Sequence, residues 1–176
     1  MAAICVFCAS STTVDPVYLA LAADTGAALA RAGHVLVSGG GRVGMMGAVA
    51  TGARAAGGHT VGIIPRQLQS REVADVDADE LVVTETMADR KTEMIERSDA
   101  FLVLPGGLGT LDELFEVWTT AGLGLHPKPI VLVNAGGFYD GLLAWLDRTV
   151  AANMVRGDAL KAITVVGDLD AALALL

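Results

Sequence analysis

Residues 100–113 read AFLVLPGGLGTLDE. A short apolar run stops at Pro105, passes through a glycine-rich turn, and enters a segment whose apolar residues recur at helical spacing. The same unit of strand, loop and helix repeats along the chain. Apolar runs of strand length lie at about 3–8, 34–38, 59–64, 80–84, 100–104, 129–133 and 162–166. Helical periodicity fills about 16–32, 43–57, 87–98, 110–122, 138–152 and 168 to the end. Pro16 suits a first helical turn, and Gly33 and Gly57-Gly58 suit helix ends. This alternation predicts an α/β fold: a single Rossmann-like domain whose mostly parallel sheet of about seven strands carries helices on both faces. The polar stretch 65–80, PRQLQSREVADVDADE, reads as an exposed loop with a helical turn at most.

Composition agrees. The chain has 176 residues, 53% of them apolar and only 18% charged, enough to bury one substantial core. Aromatics are scarce at 5%, so the core is built from Ala, Val, Leu and Ile, as in parallel strands covered by close-packed helices. A net charge of −8 argues against DNA or RNA as partner, because such affinity comes from Lys and Arg neutralising phosphates. No apolar run approaches the roughly 20 residues that cross a bilayer, and MAAICVFCAS lacks a basic region ahead of its apolar stretch. A cytoplasmic protein without a membrane partner is expected. Cys5 and Cys8 have C-x-x-C spacing, but within a strand residues three apart face opposite ways, so two buried thiols are expected rather than a disulfide or a metal pair.

In an open parallel sheet ligands bind beyond the carboxyl ends of the strands, and here the loops leaving strands hold the glycines, hydroxyls and charges. Two of them resemble anion nests. The loop 39–47, GGGRVGMMG, follows a strand and opens a helix, and so does 105–110, PGGLGT. Glycines let backbone N–H groups approach an anion, and a helix N-terminus favours negative charge. Two such nests on one edge suggest one phosphorylated ligand. The first contains G-x-G-x-x-G, yet the following strand ends Ile64-Pro65-Arg66 rather than in an acidic residue, which disfavours NAD and leaves NADP open through Arg66. Neither loop ends in Lys-Ser/Thr, so the triphosphate chemistry of a P-loop is not expected. On the same edge, Arg90 and Lys91 begin a helix, an awkward place for cations that calls for a ligand phosphate or Glu113 as partner.

The motif Leu104-Pro105-Gly106-Gly107-Leu108-Gly109-Thr110-Leu111-Asp112-Glu113, with Asp89-Arg90-Lys91 and Ser98-Asp99-Ala100 before it, resembles the PGGxGTxxE signature of the LOG family. These are cytokinin riboside 5′-monophosphate phosphoribohydrolases, often mislabelled lysine decarboxylases. The resemblance extends through Ser38-Gly39-Gly40-Gly41, Gly44-Met45-Met46-Gly47 and Gly124-Leu125-His126-Pro127-Lys128-Pro129. One departure is Ala9 where relatives usually carry Gly, which requires ordinary backbone dihedrals there.

The resemblance implies Arg90 and Glu113 as the catalytic pair. It implies that Gly106, Gly107, Gly109 and Thr110, with Gly40, Gly41, Gly44 and Ser10, hold the 5′-phosphate and its surroundings. Cleavage of an N-glycosidic bond builds positive charge on the ribose, which a carboxylate such as Glu113 stabilises while it orients water. Arg90 would offset charge on the leaving purine, since a guanidinium is a poor proton donor. Lys91 and Glu85 are weaker candidates for the substrate shell. Met87 is a candidate to pack against the base, and Met87, Met94 or Leu108 to line a slot for an N6 substituent.

The expected activity is therefore hydrolysis of a purine nucleoside 5′-monophosphate to free base and ribose 5-phosphate, with water as the only co-substrate and no cofactor. Two alternatives stay open: a non-catalytic nucleotide or molybdenum-cofactor carrier, and a broader AMP-hydrolysing or nucleotide-sensing protein. A pyridoxal decarboxylase would need a Schiff-base lysine, and Lys91, Lys128 and Lys161 show no such setting. His34, His59 and His126 read as structural, and no cluster has metal-ligand spacing. The resemblance implies a homodimer; the apolar face Leu111, Leu114, Phe115 and Trp118 suits either that interface or the core.

Overall fold

A computed structural model describes residues 1–69 and 73–176. The chain alternates as expected: β1 (Ala3–Phe7), α1 (Pro16–Arg31), β2 (Val35–Ser38), α2 (Gly44–Ala55), β3 (Thr60–Pro65), β4 (Glu80–Thr84) and α3 (Met87–Glu96). It continues with β5 (Ala100–Val103), α4 (Leu108–Gly122), β6 (Ile130–Val133), α5 (Asp140–Ala151), β7 (Thr164–Val166) and α6 (Leu169–Leu173). The seven strands are all paired in parallel, in the order β4-β3-β2-β1-β5-β6-β7. The chain therefore winds outward from β1 through β4, then crosses back to place β5 on the other side of β1. That reversal puts the switch point between β1 and β5, where the loops leaving the two strands part and a crevice opens.

Both faces of the sheet are covered. Ile4, Val6 and Cys8 pack with α1, α2 and α6, whereas Cys5 and Phe7 pack with α3, α4 and α5. The two cysteines thus lie in opposite cores, buried and free. Leu114 and Trp118 are buried in the second core, and the indole N–H of Trp118 donates to the Ala159 carbonyl at 2.7 Å, while Leu111 and Phe115 are partly buried against that core. None of the described helices is long and apolar enough to cross a membrane.

Helices α1 and α2 meet backbone to backbone. A Cβ on Gly26 would lie 1.9 Å from the Val49 carbonyl oxygen, and one on Gly52 would lie 2.1 Å from that of Ala23. Neither contact can be relieved by turning a side chain. Gly26→Ala is expected to cost on the order of 2 kcal/mol and to lower Tm by roughly 4–8 °C, measured by calorimetry.

The helix starts differ in a way that matters for the site. Asp15 caps α1 through the Val17 N–H at 2.9 Å, Thr86 and Asp89 form a reciprocal capping box on α3, and Asp168 caps α6. Helices α2 and α4, which open the two glycine loops, have no side-chain cap.

One sequence expectation needs correction. The stretch 65–80 contains the expected turn, at Arg66–Leu68, but it is not simply exposed. Asp75 is only 3% exposed, its carboxylate meets Arg54 at 2.7 Å, and its N–H donates to the Gly40 carbonyl at 2.8 Å. The segment is tied down over the first glycine loop by backbone groups that hydropathy does not register. The part of that expectation falling on 70–72 lies outside the described residues.

Candidate active site

At the switch point a cavity of about 210 Å³ is lined by Val6 of β1 and by residues from three loops and the helices α2, α3 and α4. The loop after β1 contributes Cys8, Ala9, Ser10 and Ser11; the first glycine loop contributes Gly39 and Met46; α3 contributes Arg90; the second glycine loop and α4 contribute Gly107, Leu108, Gly109, Thr110 and Glu113. Residues distant in sequence converge because β1, β2 and β5 are sheet neighbours whose carboxyl ends point the same way.

Arg90 and Glu113 lie side by side in the lining of this cavity. Both are nearly buried, at 5% and 8% exposure, with Nη1 of Arg90 3.6 Å from Oε1 of Glu113. The guanidinium is held from behind: Nε donates to the Ile63 carbonyl at 3.1 Å and Nη2 to that of Gly39 at 3.2 Å. Two carbonyls at the ends of neighbouring strands thereby fix the plane of the cation and aim it at the carboxylate. The anion that a cation in the first turns of α3 calls for is supplied by the protein itself.

The second glycine loop presents the open helix end. The amides of Leu108, Gly109 and Thr110 belong to the first turn of α4, where no intrahelical acceptor exists, and Gly107 at the N-cap offers no side chain. These three residues and Gly107 all line the cavity. Anion binding is the natural use of such a helix start. Gly106 is required on packing grounds, since a Cβ there would come within 2.1 Å of Thr110 Oγ1.

The first glycine loop is arranged otherwise. The N–H groups of Met45 and Met46 at the start of α2 are spent on the Ala9 carbonyl, at 2.9 and 3.3 Å. Gly40, with φ of +73°, backs onto the Ile63 and Gly62 backbone, and Gly44, with φ of +59°, lies against Ser10 and Ser11. Gly41 points its N–H at Met46 Sδ, 3.4 Å away. None of Gly40, Gly41 and Gly44 lines the cavity; Gly40 and Gly44 let backbones approach, and Gly39 and Met46 are the residues of this loop that reach it. Ala9 tolerates its position because its φ is not positive.

Other expected residues are dispersed. Ser10 lines the cavity. Lys91 does not: its ammonium contacts Glu116 and Asp112 on α4, which raise its pKa. Glu85 pairs with Arg66 at 2.9 Å in an exposed bridge that draws the carboxyl pKa down. Met87 touches Nη1 of Arg90 through sulfur at 3.9 Å without lining the cavity, and Met94 is core. Leu108 is 89% exposed and does line it. Cys8, at the cavity floor, is an inert thiol, its pKa pushed far up by burial and by the charge of Glu113. His126 is structural in geometry, its ring nitrogen 3.0 Å from the Val117 carbonyl and its pKa lowered by burial.

A family model described as "Possible lysine decarboxylase" matches residues 46–176. A cytokinin riboside 5′-monophosphate phosphoribohydrolase of Mycobacterium tuberculosis is 54% identical over 170 residues, covering 97% of this chain and 90% of the relative. One from Oryza sativa subsp. japonica is 42% identical over 160 residues, 91% of this chain and 66% of the relative. The chain belongs to the LOG family of phosphoribohydrolases. Its fold also matches the molybdenum cofactor carrier protein of Chlamydomonas reinhardtii, with a TM-score of 0.75 over 99% of this chain and 94% of that one. At 22% identity that likeness shows the fold alone. The decarboxylase label finds no support at this LOG-family site: Lys91 is engaged by carboxylates, Lys128 donates to the Ile95 carbonyl at 2.6 Å, Lys161 lies in the short turn Ala159–Ala162, and none of them lines the cavity.

Gly39→Ala tests the fixation of Arg90. The added Cβ would fall 1.8 Å from Nη2 and 2.8 Å from Met46 Sδ, so the guanidinium must move. Displacing a reacting group by about 1 Å costs roughly a hundredfold in rate. That loss of kcat, with Tm changed by only a few degrees, is the expected result of steady-state kinetics beside a melting curve.

Proposed function

We propose that this chain hydrolyses the N-glycosidic bond of a purine nucleoside 5′-monophosphate, with an N6-substituted adenine of the cytokinin type as base. Water adds its oxygen to C1′, the bond from C1′ to the base nitrogen breaks, and the purine leaves with a proton beside ribose 5-phosphate. The observation that carries the reading is the buried Arg90 and Glu113 pair set across one cavity from the open N-terminus of α4.

The helix end suits the 5′-phosphate, which orients the ribose over Glu113. The carboxylate then stabilises the oxocarbenium-like transition state and orients the attacking water. Arg90 lies on the same wall and offsets the charge that accumulates on the departing base; its role is electrostatic, since it holds its proton too firmly to donate it. The relatives named cytokinin riboside 5′-monophosphate phosphoribohydrolase support the same substrate. A homodimer is part of the proposal and is checked by solution mass.

The test is release of free base from AMP and from N6-isopentenyladenosine monophosphate, followed by chromatography. Faster release from the isopentenylated nucleotide is expected. Tight binding of both nucleotides without release of either base would overturn hydrolysis and favour the carrier reading.

A further inference from the structure

The second glycine loop is braced from outside the cavity by Tyr139. This side chain is 3% exposed and does not line the cavity, yet its phenol reaches the peptide groups that enter the loop. Its O–H donates to the Leu104 carbonyl at 2.8 Å, and the Gly106 peptide lies close enough to its oxygen to act on it electrostatically. One hydroxyl thus meets backbone groups on either side of Pro105, itself unable to donate. Gly106 in turn sits directly against Thr110, where a Cβ would meet Oγ1 at 2.1 Å. The phenol, the peptide of Gly106 and the first turn of α4 form one line of contacts ending at the amides that face the cavity.

The chain invests in placing this residue. After β6 it turns through Gly136 and Gly137, with φ of +60° and +75°. The side chain of Asn134 then accepts the Tyr139 N–H at 2.7 Å and donates to Asp140 at 2.7 Å, which starts α5. The ring is held edge-on by Phe138, with centroids 4.9 Å apart. Burial pushes the phenol pKa far above its ordinary range, so the O–H remains a donor at any working pH.

We infer that Tyr139 is a positioning residue for the phosphate subsite, setting the angle of the 105–107 peptides so that the α4 amides converge on the 5′-phosphate. The inference rests on the proposed placement of that phosphate at 107–110. It predicts a selective defect: groups recognised through the phosphate suffer, and groups recognised elsewhere in the cavity do not.

The experiment compares wild type with Tyr139→Phe, which removes the oxygen and keeps the ring. Binding of ribose 5-phosphate and of adenosine is measured by calorimetry, and AMP hydrolysis by base release. The expected result is about tenfold weaker binding of ribose 5-phosphate and a comparable rise in KM for AMP. Adenosine affinity should stay unchanged, and Gly106 amide exchange should be faster by NMR. Equal losses for ribose 5-phosphate and adenosine, or no loss for either, would overturn the inference. So would a wild type that fails to bind ribose 5-phosphate at all. If wild type binds ribose 5-phosphate but releases no base, the hydrolase reading falls while the phosphate arm still decides the role of Tyr139. Should Tyr139→Phe not fold, Asn134→Ala, which keeps the phenol but removes the acceptor for its backbone N–H, is read the same way and against the same two outcomes.

Discussion

Glu113→Gln is expected to lower kcat for base release by two to four orders of magnitude while nucleotide still binds within a few-fold of wild type. The substitution preserves shape and hydrogen-bonding capacity and removes the charge. Positioned groups that handle protons in a transition state contribute about 10²–10⁴-fold, and removal of one preorganised electrostatic partner contributes about 10²–10³-fold, so the neutral amide should forfeit most of that range. Binding survives because the α4 amides and the rest of the cavity wall are untouched. Stability should fall, because the buried Arg90 guanidinium loses its facing charge, but the fold should hold, since Arg90 keeps its two carbonyl acceptors on Ile63 and Gly39. Single-turnover base release beside equilibrium binding of AMP decides it. A variant within tenfold of wild-type kcat would remove Glu113 from the chemistry.

Arg90→Ala is expected to fail on two axes at once. The guanidinium is the donor to two buried carbonyls and the cation facing Glu113 at 3.6 Å, so its removal strands backbone acceptors and takes a positive charge from beside a nearly buried carboxylate. Each unsatisfied buried polar group costs about 1–3 kcal/mol, and breaking a buried ion pair about 3–5 kcal/mol. A loss on the order of 4 kcal/mol is expected, with turnover reduced at least a hundredfold. Arg90→Lys should recover part of the stability but little activity, because an ammonium cannot serve Ile63, Gly39 and Glu113 with the geometry of a planar fork. Urea unfolding at constant m-value measures the first effect and base release the second. Stability unchanged in Arg90→Ala would contradict the bracing role assigned to the two carbonyls.

Much of this site was readable from residue patterns. The apolar runs, the glycine loops after strands and the position of Glu113 one turn into the helix after PGGLGT all carry local signals. The helix dipole called for an anion beside Arg90 and Lys91, either a ligand phosphate or Glu113, and the family resemblance implied Arg90 with Glu113. What escaped was direction. Arg90 and Lys91 are adjacent, and neighbours on a helix point about 100° apart, so one enters the cavity while the other turns to Asp112 and Glu116. Nothing in their identity says which.

The two glycine loops make the same point. As strings they are equivalent: glycines between a strand and a helix. In the fold, the first has its helix-start amides taken by the Ala9 carbonyl, whereas Ala9 meets the second at the Pro105 carbonyl through its N–H and leaves the helix-start amides of α4 open. Asp75 and Tyr139 carry no pattern at all. One sits in a polar run and the other in a short turn, and their roles exist only because β3 lies beside β4 and β5 beside β6.

The sequence by itself determined the α/β class, the order of the elements and the edge on which the chemistry lies, because periodicity, glycine placement and helix-terminal charge are local properties. The tertiary structure alone decided which loop offers free amides, which cation faces the carboxylate and which distant residues brace them. Those depend on where the acceptors of other segments fall, and strand order, not strand content, sets that.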